Sequence, residues 1–188
     1  NSALFYLNVA AGSVDENDDE QGLAHFVEHM AFNGSEHFDK NELVHTLQRL
    51  GVKFGADLNA QTGFENTTYN IQAQVSDETL KDIFLVLRDY AGGVKFDENE
   101  TQKEKGVILE EAKKGFERRF YEKRATYLYP NSIFSRRFPI GQNEIIKGAT
   151  GEQLKKFYAR NYLPSAISII VVGDVNIEQI KNLIKQNF

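Results

Sequence analysis

The stretch Gly22-Leu-Ala-His-Phe-Val-Glu-His-Met-Ala-Phe32 limits what this chain can fold into more than any other. At about 100° per residue, His25 and His29 lie one turn apart and Glu28 sits about 60° from His25, so all three crowd one face of a helix. Leu23, Phe26, Val27 and Met30 recur at 0, +3, +4 and +7 and give the same helix an apolar stripe, with Glu28 and His29 at its border. The helix must bury that stripe while keeping two imidazoles and a carboxylate together. Two imidazoles at i and i+4 are a natural half of a tetrahedral metal shell. A carboxylate too close to be spared for ligation is placed to take a proton from water at the metal. The competing reading of the motif alone is an amphipathic helix with two satisfied histidines and a solvated glutamate.

Around this helix the pattern alternates between strands and helices. Phe5, Leu7 and Val9 alternate with Tyr6 and Asn8, which predicts a strand from Ala3 to Ala10 buried on one face. The acidic run Asp15-Glu-Asn-Asp-Asp-Glu20 reads as a solvated loop whose charge suits the start of the motif helix. Asp39 and Glu42 form a capping box for a helix with Leu43, Val44, Leu47 and Leu50 inside, ended by Gly51. Val52, Phe54, Ala56 and Leu58 alternate, as do Tyr69, Ile71, Ala73 and Val75 after a loop with Gly63, and this predicts an antiparallel pair. Ser76 caps a helix that Gly92-Gly93 stops, and Asp97 opens a long helical pattern to about Tyr121, with a weak point at Gly115. From Tyr121 to Pro139 helix gives way to loop around Pro130. Thr150 and Gln153 box another helix that ends before Pro164, Ala166 to Val172 is an apolar strand, and Asn176 caps a last helix. The fold class is therefore α+β, a two-layer domain with helices packed on one face of a mainly antiparallel sheet.

Two histidines leave a catalytic metal one protein ligand short. Glu104 and Glu111 share a helix face with Val107 and Ile108, at the edge of the buried side, whereas Glu110 has Lys103, Lys113 and Lys114 at −7, +3 and +4. Helix phase thus favours Glu111 or Glu104 over Glu110.

The inverted H-x-x-E-H of the motif helix, Asn33-Gly-Ser, Leu47 to Gly55, Asn59-Ala-Gln-Thr62, Gly106-Val-Ile-Leu-Glu-Glu-Ala112 and Ile169-Ile-Val-Val-Gly-Asp174 together resemble the pitrilysin, insulin-degrading enzyme and mitochondrial processing peptidase family. Within it they are similar to the bacterial zinc proteases of the PqqL type. The resemblance covers nearly the whole chain and implies a zinc metalloendopeptidase fold with one Zn²⁺ per chain. It implies His25, His29 and Glu111 as metal ligands, Glu28 as catalytic base and Glu104 as an auxiliary catalytic glutamate. It also implies a substrate-binding edge strand at Asn59 and Ala60, where the residues alone read as the end of a hairpin. Phe32 reads either as the wall of a substrate side-chain pocket or as a core residue. The implied partners are a peptide substrate and a C-terminal half of the same protein or a homologous subunit, and the implied compartment is a bacterial envelope.

Composition trims the alternatives. With 27 acidic and 22 basic residues and a net charge of −5, nothing points to nucleic acid. The pairs Arg118-Arg119, Lys123-Arg124 and Arg136-Arg137 read as solvated faces. No apolar run approaches the length of a membrane span. S-ribosylhomocysteine lyase also carries an inverted motif, but it needs cysteine, and the chain has none. A non-catalytic scaffold or processing subunit of the same fold stays as the alternative, although such subunits lose motif residues that stand intact here. The 188 residues fit a single domain. Because the first strand opens almost at Asn1, the chain reads as the N-terminal zinc-binding domain of a longer protein.

Overall fold

Alternation along the first strand sets the architecture. In β1 (Ser2–Val9), Ala3, Phe5, Leu7 and Val9 are buried while the residues between them are partly or fully exposed. The computed structural model describes residues 1–188 except Phe54, Ala56 and Gly115 and the side chains of residues 116–119. After β1 come α1 (Leu23–Met30), α2 (Lys40–Arg49), β2 (Leu58–Thr62), β3 (Thr67–Gln74), α3 (Asp77–Gly92), α4 (Glu98–Lys114) and α5 (Phe116–Leu128). α6 (Asn143–Gly148), α7 (Gly151–Asn161), β4 (Ile167–Gly173) and α8 (Ile177–Asn187) complete the order.

The sheet runs β2-β3-β1-β4 with every neighbouring pair antiparallel. Register places Phe5 opposite Ile71 and Val171, and Leu7 opposite Tyr69 and Ile169, so one face carries the apolar side chains of all four strands. That face is the one the helices cover. Asn70, Gln72, Asn59, Ser168 and Ile170 lie on the other, where Ile170 is half exposed. Phe5 and Phe84 of α3 meet edge to face at 6.2 Å between ring centroids, joining the two layers. Full burial of side chains this size stabilises by roughly 1.5–3 kcal/mol each. The expected α+β two-layer class is the one found.

Local signals account for the starts of four helices. The Glu42 carboxylate accepts from Asp39 N at 3.1 Å, Ser76 Oγ from Thr79 N at 3.1 Å, Thr150 Oγ1 from Gln153 N at 3.3 Å and Asn176 Oδ1 from Gln179 N at 3.0 Å. One strand is displaced from its expected place. Alternation predicts it over Val52 to Leu58, yet β2 starts at Leu58 and runs to Thr62. Among the described residues before it, Asp57 N bonds Lys53 O at 2.8 Å, Lys53 N bonds the Asp57 carboxylate at 3.0 Å, and Gly55 takes φ +81°. Phe54 and Ala56, which carry half of that alternation, and the weak point at Gly115 lie outside the described residues. No helix among the described residues is long and apolar enough to cross a membrane.

Candidate metal centre

α1 lies between the β2-β3 end of the sheet and helices α4 and α7. Its start is fixed by a residue outside it. Glu16 Oε1 accepts from Gly22 N at 3.0 Å and Ala24 N at 2.9 Å, satisfying two of the amide groups that a helix leaves unpaired at its N-terminus. Glu16 is only 4% exposed. Burial therefore pushes its carboxyl up to about 8, against the opposing pull of those two amides and of Arg137. The acidic run is thus not uniformly solvated, because the segment after α5 folds back over it. Arg137 Nε donates to Glu16 O at 3.2 Å and its guanidinium pairs with Asp18, while Ser13 Oγ donates to Arg137 O at 2.5 Å. Arg137 is a clamp rather than part of a solvated face. Lys123, Arg124 and Arg136 are exposed as expected, and the side chains of Arg118 and Arg119 lie outside the described residues. The same segment brings Gly141 against Gly22: a Cβ on Gly141 would stand 2.3 Å from Gly22 Cα, and both glycines have positive φ, +73° and +105°.

Helical spacing then delivers the imidazoles. His25 Nε2 and His29 Nε2 face the same point 3.2 Å apart, and Glu111 Oε2 from α4 stands 3.7 Å from the first and 3.4 Å from the second. The edge of a tetrahedron with zinc–ligand bonds near 2.05 Å is about 3.3 Å, so the three donors match the spacing that a tetrahedral ion requires. Glu111 is half exposed, and that leaves an approach from solvent beside the two largely buried histidines. Glu110, its neighbour, points outward and pairs with Lys113 at 2.5 Å. Val107, expected at the border of the buried side, is 52% exposed, whereas Ile108 is fully buried.

The outer partners orient the donors. His29 Nδ1 lies 2.8 Å from Glu104 Oε1, which leaves Nε2 toward the metal point, and Asn33 Nδ2 donates to Glu104 Oε2 at 2.9 Å and to His29 O at 3.1 Å. Burial alone would lower the His29 pKa, but its hydrogen bonds to Glu104 and Glu111 outweigh burial and push it up to about 9. Burial would raise Glu104, yet the bonds from His29 and Asn33 hold it below the usual carboxylate value. Glu28, 7% exposed, accepts from Thr62 Oγ1 at 2.5 Å. Burial raises its carboxyl above the ordinary value, against the lowering effect of that hydrogen bond.

Of the remaining expected residues, Asn59 and Ala60 lie in β2 and Phe32 follows α1. Ala60 lies in β2 on the helix-covered face, and Asn59 is on the open face with its Nδ2 3.4 Å from Gly55 O. β2 is an outer strand of the sheet, and among the described residues no strand lies beside its far edge. Phe32 sits where the core and a cleft meet. It packs on the rings of Tyr90 and Tyr69 at 5.5 and 6.3 Å, and it also lines a cleft of about 350 Å³ with Glu28, His29, Asn33, Val44 and Glu104. Glu16, Asn33 and Thr62 were not expected as site residues. A second cluster, Glu36, His37 and Asp89, also brings metal-type donors together, but Arg88 pairs with both carboxylates and already supplies the positive charge.

Comparison with known proteins gives the same frame. The family model described as insulinase, peptidase family M16, matches residues 1–129, and the model described as peptidase M16 inactive domain matches residues 148–188. A probable zinc protease PqqL of Haemophilus influenzae is 36% identical over 184 residues, covering 96% of this chain and 20% of that protein. The crystal structure of the periplasmic protease PqqL from Escherichia coli superposes with a TM-score of 0.94 at 33% identity, covering 99% of this chain and 21% of that one. The structure of the first half of the same protease gives 0.93 at 33% identity, over 99% of this chain and 40% of that half. The chain thus spans about a fifth of the length of the curated relative it matches.

Proposed function

The chain belongs to the insulinase family of peptidases, family M16, and from that membership and the site geometry we propose that it is the metal-binding part of a zinc endopeptidase. The observation that carries the reading is the convergence of His25 Nε2, His29 Nε2 and Glu111 Oε2 at tetrahedral spacing, with the buried Glu28 on the same helix turn. His25, His29 and Glu111 hold one Zn²⁺. The ion, when bound, polarises the scissile carbonyl and acidifies the attacking water. Glu28 takes the proton from that water and hands it to the departing amide nitrogen. Its burial raises the proton affinity of the carboxylate and makes it a better base than a solvated glutamate. Glu104 acts through His29, fixing the ring and its tautomer.

The open edge of β2 takes an extended peptide through main-chain hydrogen bonds at Asn59 and Ala60. One substrate side chain enters the cleft walled by Phe32. A further half of the protein closes over the peptide from the other side, and the 188 residues are the N-terminal domain of that longer chain.

The test uses the full-length protein, its zinc content and its kcat and KM on an unstructured peptide. Glu28→Gln should keep one zinc per chain and lower kcat by at least about 10²-fold. Loss of zinc in that variant, or full activity, would show that the roles are wrongly assigned.

A further inference from the structure

Among the described residues, the side-chain hydrogen bond to the Glu28 carboxylate comes from the Thr62 hydroxyl, 2.5 Å from Oε2. Thr62 is the last residue of β2, paired with Thr67 of β3. The buried Thr67 hydroxyl donates to Ala11 O at 2.9 Å, so its proton is committed to the backbone. The two threonine hydroxyls are 3.5 Å apart. The short acceptor for the Thr62 proton is therefore the Glu28 carboxylate. That bond uses one of the carboxylate's acceptor positions and fixes the plane of the group, leaving the others to meet water.

We propose that Thr62 is a positioning residue for the peptidase reaction: its hydroxyl holds the Glu28 carboxylate in a fixed orientation and ties the base to the strand on which substrate docks. Thr62 lies two residues from Ala60 on the same face of β2, and the far edge of that strand is open. A peptide that adds to this edge restrains the strand, and through Thr62 it restrains the base. The proposal rests on Glu28 being the base, as put forward above. A β-branched residue placed here only to fill space would need its shape and not its hydroxyl.

Thr62→Val keeps the shape and removes the donor, and Thr62→Ser keeps the donor. In the full-length protein, Thr62→Val should lower kcat about 10- to 100-fold with KM within twofold, as a displaced catalytic group does. Zinc affinity by chelator competition and the unfolding temperature of the metal-free protein should stay close to wild type. Thr62→Ser should recover kcat to within about threefold of wild type, since it restores the hydrogen bond. Wild-type kcat in Thr62→Val, equal losses in the Val and Ser variants, or loss of zinc or of folding in Thr62→Val would each overturn the proposal. Glu28→Gln measured alongside separates the two ideas. If it is inactive while Thr62→Val is fully active, only the role of Thr62 fails, and if it is active the base assignment itself fails.

Discussion

Replacing Glu16 by glutamine isolates a pH-dependent contribution to stability at the start of α1. In the unfolded chain this carboxyl titrates near 4.5, and in the folded chain burial holds the proton to about 8. The folded state therefore binds more protons between these limits, and stability must fall as pH rises through the interval, by at most about 1.4 kcal/mol per pH unit. Glu16 stabilises most below 4.5, and the loss is complete above about 8, where it amounts to roughly 5 kcal/mol as an upper figure. Glutamine keeps an oxygen for Gly22 N and Ala24 N but never ionises. Glu16→Gln should thus equal wild type within about 1 kcal/mol at pH 4.5 and exceed it by several kcal/mol at pH 8.5. Urea unfolding of both proteins across this range, with chelator present so that metal binding does not enter, measures the difference directly. A difference that stays constant with pH, or a variant that falls behind wild type as pH rises, would refute the argument that Glu16 is folded in its neutral form.

The neighbouring glutamates of α4 should separate cleanly: Glu111→Gln should impair zinc binding, while Glu110→Gln, paired outward with Lys113, should leave it unchanged in a chelator competition. Glu104→Gln should weaken zinc binding about 10- to 100-fold through His29, with a zinc titration by calorimetry as the check. The 188 residues alone should bind one zinc yet show a kcat/KM on an unstructured peptide at least about 10²-fold below that of the full-length protein, since groups from a second half would be missing.

How far the sequence could be read depended on whether the cause of a feature was local. The motif helix, its apolar stripe and the phase that separates Glu111 from Glu110 are properties of 3.6-residue periodicity, and they were legible without any partner. So were the helix starts at Asp39, Ser76, Thr150 and Asn176. The strand at Leu58–Thr62 was not, because Val52, Phe54, Ala56 and Leu58 alternate although Gly55 turns the chain between them, and only the family resemblance put Asn59 and Ala60 on a strand. The six-residue α6 has too few turns to show a stripe, and no sequence signal assigned it to an element. Glu16 and Arg137 were misread for a single reason: composition marks them as solvated, whereas a contact across 121 positions removes them from water. The one available hint for Glu16 was an acidic residue shortly before a helix. Thr62 stood out only as the end of the Asn59-Ala-Gln-Thr62 match, since its hydrogen bond to Glu28 exists only once β2 lies beside α1.

Gly22 and Gly141 touch through backbone alone, with no side chain between them to absorb a change. The start of the motif helix is therefore surveyed from a distant benchmark, and the imidazoles inherit its coordinates. A methyl group added at position 141 meets backbone at 2.3 Å and cannot be accommodated by a rotamer change, so the displacement falls on the start of α1. Variation at a glycine more than a hundred positions away in sequence is then felt as a displacement of the His25 and His29 rings.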